Sequence, residues 1–142
     1  MLLPHVVQTE SDRVFVNVYN SQAAATADGD ALVWNTSSPD GVKTTQPLTA
    51  TLSLFVGISD GAIGAAAYGL AQAYGYKTYG LITNNTTVAV AAGDILIPVD
   101  QANYLNRSAA SDGKTGFVFA AAAVATATTP AAAKSGVFIR AL

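Results

Sequence analysis

Gly57-Ile58-Ser59-Asp60-Gly61 matches the G-x-S-x-G pattern. In that pattern a serine sits on a sharp strand-to-helix turn and gives its proton to a histidine oriented by an acid. The chain has one histidine, His5, and it precedes the serine, the reverse of the hydrolase order. Glycines also interrupt the residues after Gly61, so a turn between two strands is the favoured reading and no enzyme is expected. Asp28 and Asp30 flank Gly29, a pairing that could begin a calcium site. A calcium loop needs several more oxygens and a closing Glu, and Glu10 is the only glutamate, so turn capping is expected instead. Asp94 and Asp100 could supply a glycosidase-type carboxylate pair, but their spacing sets them on opposite faces of one strand. With one histidine and no cysteine, no metal site is expected. The glycines from Gly57 to Gly80 fit neither phosphate-binding pattern, so no cofactor is expected either. Four N-x-S/T triplets, at Asn35, Asn84, Asn85 and Asn106, are ordinary in a chain this rich in Asn and Thr.

Tyrosines offer binding rather than reaction. Tyr68, Tyr74 and Tyr76 fall on one face of an extended segment, with Tyr79 on the other. Three uses suit such rings: a core with one hydrogen-bond partner for each hydroxyl, a protein interface, or a platform for stacking sugars. His5 is expected to make an ordinary hydrogen bond within an N-terminal arm.

The elements that must position these residues read as short strands. The organising stretch is Ala91-Ala92-Gly93-Asp94-Ile95-Leu96-Ile97-Pro98-Val99-Asp100, a Gly-Asp turn feeding an apolar run that ends at proline. Ile95, Ile97 and Val99 lie on one side of it, Leu96, Pro98 and Asp100 on the other. Asp28-Gly29-Asp30-Ala31-Leu32-Val33-Trp34 repeats the device and hints at a weak internal duplication. Alternation over Arg13–Tyr19 predicts a strand with Val14, Val16 and Val18 on one face. Asn35–Gly41 is a dense turn cluster. In the segment Lys43–Ser59, Leu52, Leu54 and Val56 oppose Ser53, Phe55 and Gly57. Across Ala62–Gly80, Gly64, Gly69, Gly75 and Gly80 count against a helix, and two-residue spacing makes Tyr68–Thr83 a strand. Asn84-Asn85 suits a tight hairpin. Phe117-Val118-Phe119 starts another strand, Ala120–Thr129 is either strand or loop, Pro130–Gly136 is a connection, and Val137–Leu142 closes the chain. The expected fold is all-β: one barrel or sandwich of about eight to ten short strands over residues 13–142, preceded by an extended arm over residues 1–12.

Composition sets the outer bounds. The 142 residues suit one domain. Charged residues make up only 11%, about half the usual share, and the net charge of −2 gives no basic footprint, so no nucleic-acid partner is expected. A surface so poor in charge favours an assembly protein with neighbours covering it. No signal peptide is expected at Met1–His5, which is short and lacks a basic flank. Leu54–Ala73 approaches membrane-spanning length, but it carries Asp60, Gln72 and several glycines, so no membrane partner is expected.

Four stretches then stand in a familiar order: Leu54-Phe55-Val56-Gly57-Ile58, Tyr68-Gly69-Leu70-Ala71-Gln72-Ala73-Tyr74-Gly75-Tyr76, Ala91-Ala92-Gly93-Asp94-Ile95-Leu96, and Val137-Phe138-Ile139-Arg140-Ala141-Leu142. From about Gly29 to the C-terminus the chain resembles the small capsid decoration (cement) proteins of tailed bacteriophages. The resemblance implies a β-rich block on the outer capsid surface of a virion, bound to the major capsid protein and to itself, as a homotrimer ahead of a dimer. Its role would be mechanical, resisting internal pressure without catalysis. The candidate interface residues are Leu2, Leu3 and His5 in the arm, Tyr68, Tyr74, Tyr76 and Tyr79, and Phe138 and Arg140. A carbohydrate-binding or host-adhesion module of a virion fibre is the alternative.

Overall fold

Among the described residues, nine strands and one short 3-10 turn form in chain order: β1 (Val14–Asn20), β2 (Ala31–Trp34), β3 (Lys43–Thr45), the turn Thr49–Thr51, β4 (Phe55–Ser59), β5 (Tyr68–Thr83), β6 (Ile95–Pro98), β7 (Leu105–Arg107), β8 (Val118–Ala120) and β9 (Ala132–Arg140). The computed structural model describes residues 12–83, 89–108, 117–125 and 132–141. The arm residues Leu2, Leu3 and His5 and the expected Asn84-Asn85 hairpin lie outside the described residues. The all-β expectation holds, and the long strand has the predicted limits.

The strand pairing closes two rings. The first runs β1-β3-β2-β4-β5 and returns to β1, with β1–β3 parallel and every other pair antiparallel. The second runs β5-β7-β6-β8-β9 and returns to β5, again with one parallel pair, β5–β7. Closure removes most of the open strand edge that an unrolled sheet would expose. The 16-residue strand β5 belongs to both rings, its first part pairing β1 and β4 and its second part β9 and β7.

The two rings follow one plan, with corresponding strand pairs and with bulges at different places. Leu32 faces Gly57 in the first ring, and Leu96 faces Val118 in the second. Trp34 faces Thr44, and Pro98 faces Leu105. Val16 faces Ala71, and Lys77 faces Val137. Lone bridges outside the strands repeat as well, Thr26 to Ile63 and Val90 to Val124. The sequence carries this duplication only in its Gly-Asp turns. At both turns glycine has positive φ, +96° at Gly29 and +88° at Gly93, a conformation that disfavours other residues.

Apolar residues fill each ring and the space between them. Val18, Leu32, Val56, Ile63 and Ala71 form one cluster. A second includes Leu96, Val118, Val137 and Ile139 together with Ala31, Phe55 and Ile58 from the first ring. Strands β2 and β4 therefore bury both faces, one inside their own ring and one against the other. All five residues of β4 are buried for this reason, which corrects the simple two-faced reading around Leu54 and Phe55. Two further expectations change. A register shift between Val14 and Phe15 turns Val14 outward, away from Val16 and Val18. Strand β9 begins at Ala132, inside the segment read as a connection, because its pairing with β5 extends to Thr83.

Candidate partner interface

Strand β5 lies between β1 and β9, and at its centre Tyr74 pairs with Val14 on one strand and Arg140 on the other. Tyr68, Leu70 and Tyr76 of β5 point away from the rings, with Tyr74 half-buried beside them, whereas Gln72 in the same alternation is fully buried. Across from them stand Tyr19, Asn17 and Phe15 on β1 and Phe138 and Arg140 on β9. The result is an outward sheet face carrying Val14, Phe15, Tyr68, Leu70, Tyr76 and Phe138, all exposed. Large apolar side chains gathered on one sheet face mark binding surfaces in soluble proteins.

Local packing fixes the rings. Tyr68, 66% exposed, meets Tyr19 edge-to-face at 5.0 Å. Tyr74 is half-buried and meets Phe138 edge-to-face at 5.8 Å. Tyr76 lies over Gly136, where any Cβ would fall 2.8 Å from its hydroxyl oxygen. Tyr79 was expected on the opposite face from the other tyrosines. The register irregularity between Lys77 and Gly80 breaks the alternation there, so Tyr79 is exposed rather than turned inward. The Lys134 ammonium sits 5.4 Å from its ring centre, within cation–π range. Tyr68, Tyr74, Tyr76, Phe138 and Arg140 are thus brought together on adjoining strands, with Tyr79 next to them. The sequence reading missed Val14, Phe15 and Leu70. Leu70 shares the tyrosines' parity and could have been found; Val14 required the bulge.

A polar cleft of about 230 Å³ opens between the two rings, lined by Arg13, Asp28, Asp60, Gln72, Lys77, Thr78 and Tyr79. Lys77 takes the position that Val16 holds in the first ring, and it is only 6% exposed. Its ammonium is satisfied by Asp28 at 3.0 Å and Asp60 at 2.8 Å. Burial pushes the Asp28 carboxyl up, but the Gly61 amide and the Lys77 ammonium outweigh it and hold the group below the usual range. The fully buried Gln72 donates from Nε2 to the carbonyls of Tyr74 and Tyr76, on either side of Gly75 where β5 passes from one ring to the other. The cleft is an ion-paired joint between the rings.

Ser59, Asp30 and Asp94 each hold a turn or strand end through hydrogen bonds. Ser59 is fully buried at the end of a strand; its hydroxyl donates to the Ala27 carbonyl and accepts from the Asp30 amide. No helix follows it: Ile63 bridges back to Thr26, and β5 begins at Tyr68. Asp30 caps its turn by accepting from the Ala27 amide at 2.8 Å and from Asn103 at 3.1 Å. Burial raises its carboxyl above the ordinary value in spite of those bonds. Asp94 accepts from the Ala91 amide and pairs with Arg107 at 2.8 Å. Among the described residues, no cluster of three His, Cys, Asp or Glu side chains could hold a metal, and no helix is long and apolar enough to cross a membrane. No family model and no curated protein matches the chain.

Proposed function

We propose that this protein is a structural component of a phage head, a decoration protein that binds the major capsid protein lattice from outside and strengthens the shell as a homotrimer. The observation that carries the reading is the exposed apolar and aromatic face across β1, β5 and β9. The order of motifs that resembles capsid cement proteins points the same way. Repetition over a shell lets modest individual contacts hold through avidity. Rigid tyrosine and phenylalanine rings on a sheet supply contact area at low entropic cost.

The test is co-sedimentation with empty expanded heads of a tailed phage prepared without their decoration protein. Saturable, stoichiometric binding with no hydrolytic activity is the expected result; failure to bind defeats the proposal. Light scattering behind size-exclusion chromatography tests the trimer. Exposed Tyr68, Tyr76 and Tyr79 also favour a second reading, glycan stacking by a fibre module. That reading requires measurable glycan affinity, abolished when Tyr74 and Tyr76 are changed to alanine.

A further inference from the structure

The cations among the described residues divide by location. Lys43 pairs with Asp40, Lys77 with Asp28 and Asp60, and Arg107 with Asp94. Among the described residues, the cations that form no salt bridge are Arg13, Lys134 and Arg140, and Lys134 acts on Asp28 only at longer range. Arg140 and Lys134 share the outward side of β9 with Phe138, and Arg13 immediately precedes β1 at the cleft mouth. Strands β1, β5 and β9 contain no Asp or Glu at all. A chain of net charge −2 therefore carries three cations, Arg13, Lys134 and Arg140, around this apolar face, with Asp12 beside Arg13 as the adjoining carboxylate.

From this juxtaposition we infer that the β1-β5-β9 face docks a protein surface bearing carboxylates around an apolar centre, with Arg140 and Lys134 as the charge-reading residues. The inference rests on the capsid reading above and adds the face used and the chemistry of the partner. Charge complementarity selects this occupant. A second copy packed face to face would bring two sets of Arg13, Lys134 and Arg140 together with one Asp12 on each side to offset them, and like charges across an interface are costly. Arginine and tyrosine beside buried apolar rings also form the usual anchors of protein interfaces. Arginine's planar fork matches a carboxylate at two points, so Arg140 is expected to contribute more than Lys134.

The experiment uses the full chain and a fluorescein-labelled random copolymer of glutamate and tyrosine as the acidic, aromatic probe, read by anisotropy. Arg140→Glu is compared with Lys43→Glu, which makes the same change in net charge away from the face. Arg140→Glu is expected to weaken copolymer binding about tenfold, Lys43→Glu less than about twofold, with added salt weakening the wild type. Thermal melts confirm that both variants fold. Equal losses in the two variants overturn the inference. So does equal or tighter binding to phosphatidylserine vesicles or a DNA oligonucleotide, which assigns the face to another class of partner. A dimer in light scattering that Phe138→Asp dissolves assigns it to a second copy and overturns it as well. Heads that bind wild type and Arg140→Glu alike overturn the inference and leave the proposed function standing. Heads that bind neither overturn the proposed function, while the copolymer comparison still decides the face.

Discussion

Asp30 and Asp94 are structural equivalents: each accepts, through Oδ2 at 2.8 Å, the amide of the residue three places before it. Each follows a glycine of positive φ and leads into the strand that carries the buried leucine of its ring, Leu32 or Leu96. Around this shared turn the two halves diverge. Asp30 has Asn103 as a second partner in a buried setting, whereas Asp94 is partly exposed and pairs with Arg107. One copy of the turn is thus buried and the other partly exposed.

The Lys77 joint should respond asymmetrically to mutation. Lys77→Met removes a buried ammonium and leaves Asp28 and Asp60, 31% and 44% exposed, free to hydrate. A cost near 1 kcal/mol is expected, since apolar residues often replace buried ions at little penalty (about 0–1 kcal/mol). Changing both Asp28 and Asp60 to Asn strands the ammonium between the rings and should cost about 3–5 kcal/mol. Urea melts of the two variants check the order; equal costs would refute it.

Gly75 and Gly93 both have positive φ, +96° and +88°, yet they differ in surroundings. A Cβ at Gly75 collides with the Asp12 backbone carbonyl, while nothing lies within 4 Å of one at Gly93. Gly93→Ala should cost about 1 kcal/mol from backbone conformation alone. Gly75→Ala adds a steric clash and should cost about 2–4 kcal/mol, or prevent folding. Thermal denaturation distinguishes the two.

Acid acts on Asp28 and Asp30 in opposite directions. Asp28 titrates in the folded protein below its unfolded value of 3.8, so its contribution is present above that value and disappears as pH falls through the folded pKa. Asp30 titrates above 3.8 when folded, so its ionised form opposes folding at neutral pH, and protonation relieves this as pH falls through the raised value. Asp30→Asn should therefore flatten the stability gain on mild acidification, and Asp28→Asn the loss in stronger acid. Stability measured from neutral to acid pH in each variant tests both signs.

Ser59→Ala removes the hydroxyl that donates to the Ala27 carbonyl and accepts from the Asp30 amide, which keeps the Ala27 carbonyl as an acceptor at 3.2 Å. A loss of about 0.5–1.5 kcal/mol is expected, the range for a lost hydrogen bond whose partners stay satisfied. A melting temperature equal to wild type would contradict this.

Local sequence determined the strands. Alternation in β1 and β5, Gly-Asp turns before β2 and β6, and low charge were enough for an all-β chain, because side-chain period and turn chemistry act over a few residues. The tyrosine parity along β5 likewise located much of the candidate interface. Tertiary structure decided what depends on distant partners. It closed two rings on one shared strand, turned Val14 and Tyr79 outward through irregular register, and buried both faces of β4 between the rings. It also joined Asp28 and Asp60 to Lys77, and left Arg13, Lys134 and Arg140 without a salt bridge among the described residues. None of these can be read from neighbouring residues, because register and charge pairing are set by which strands meet across long separations.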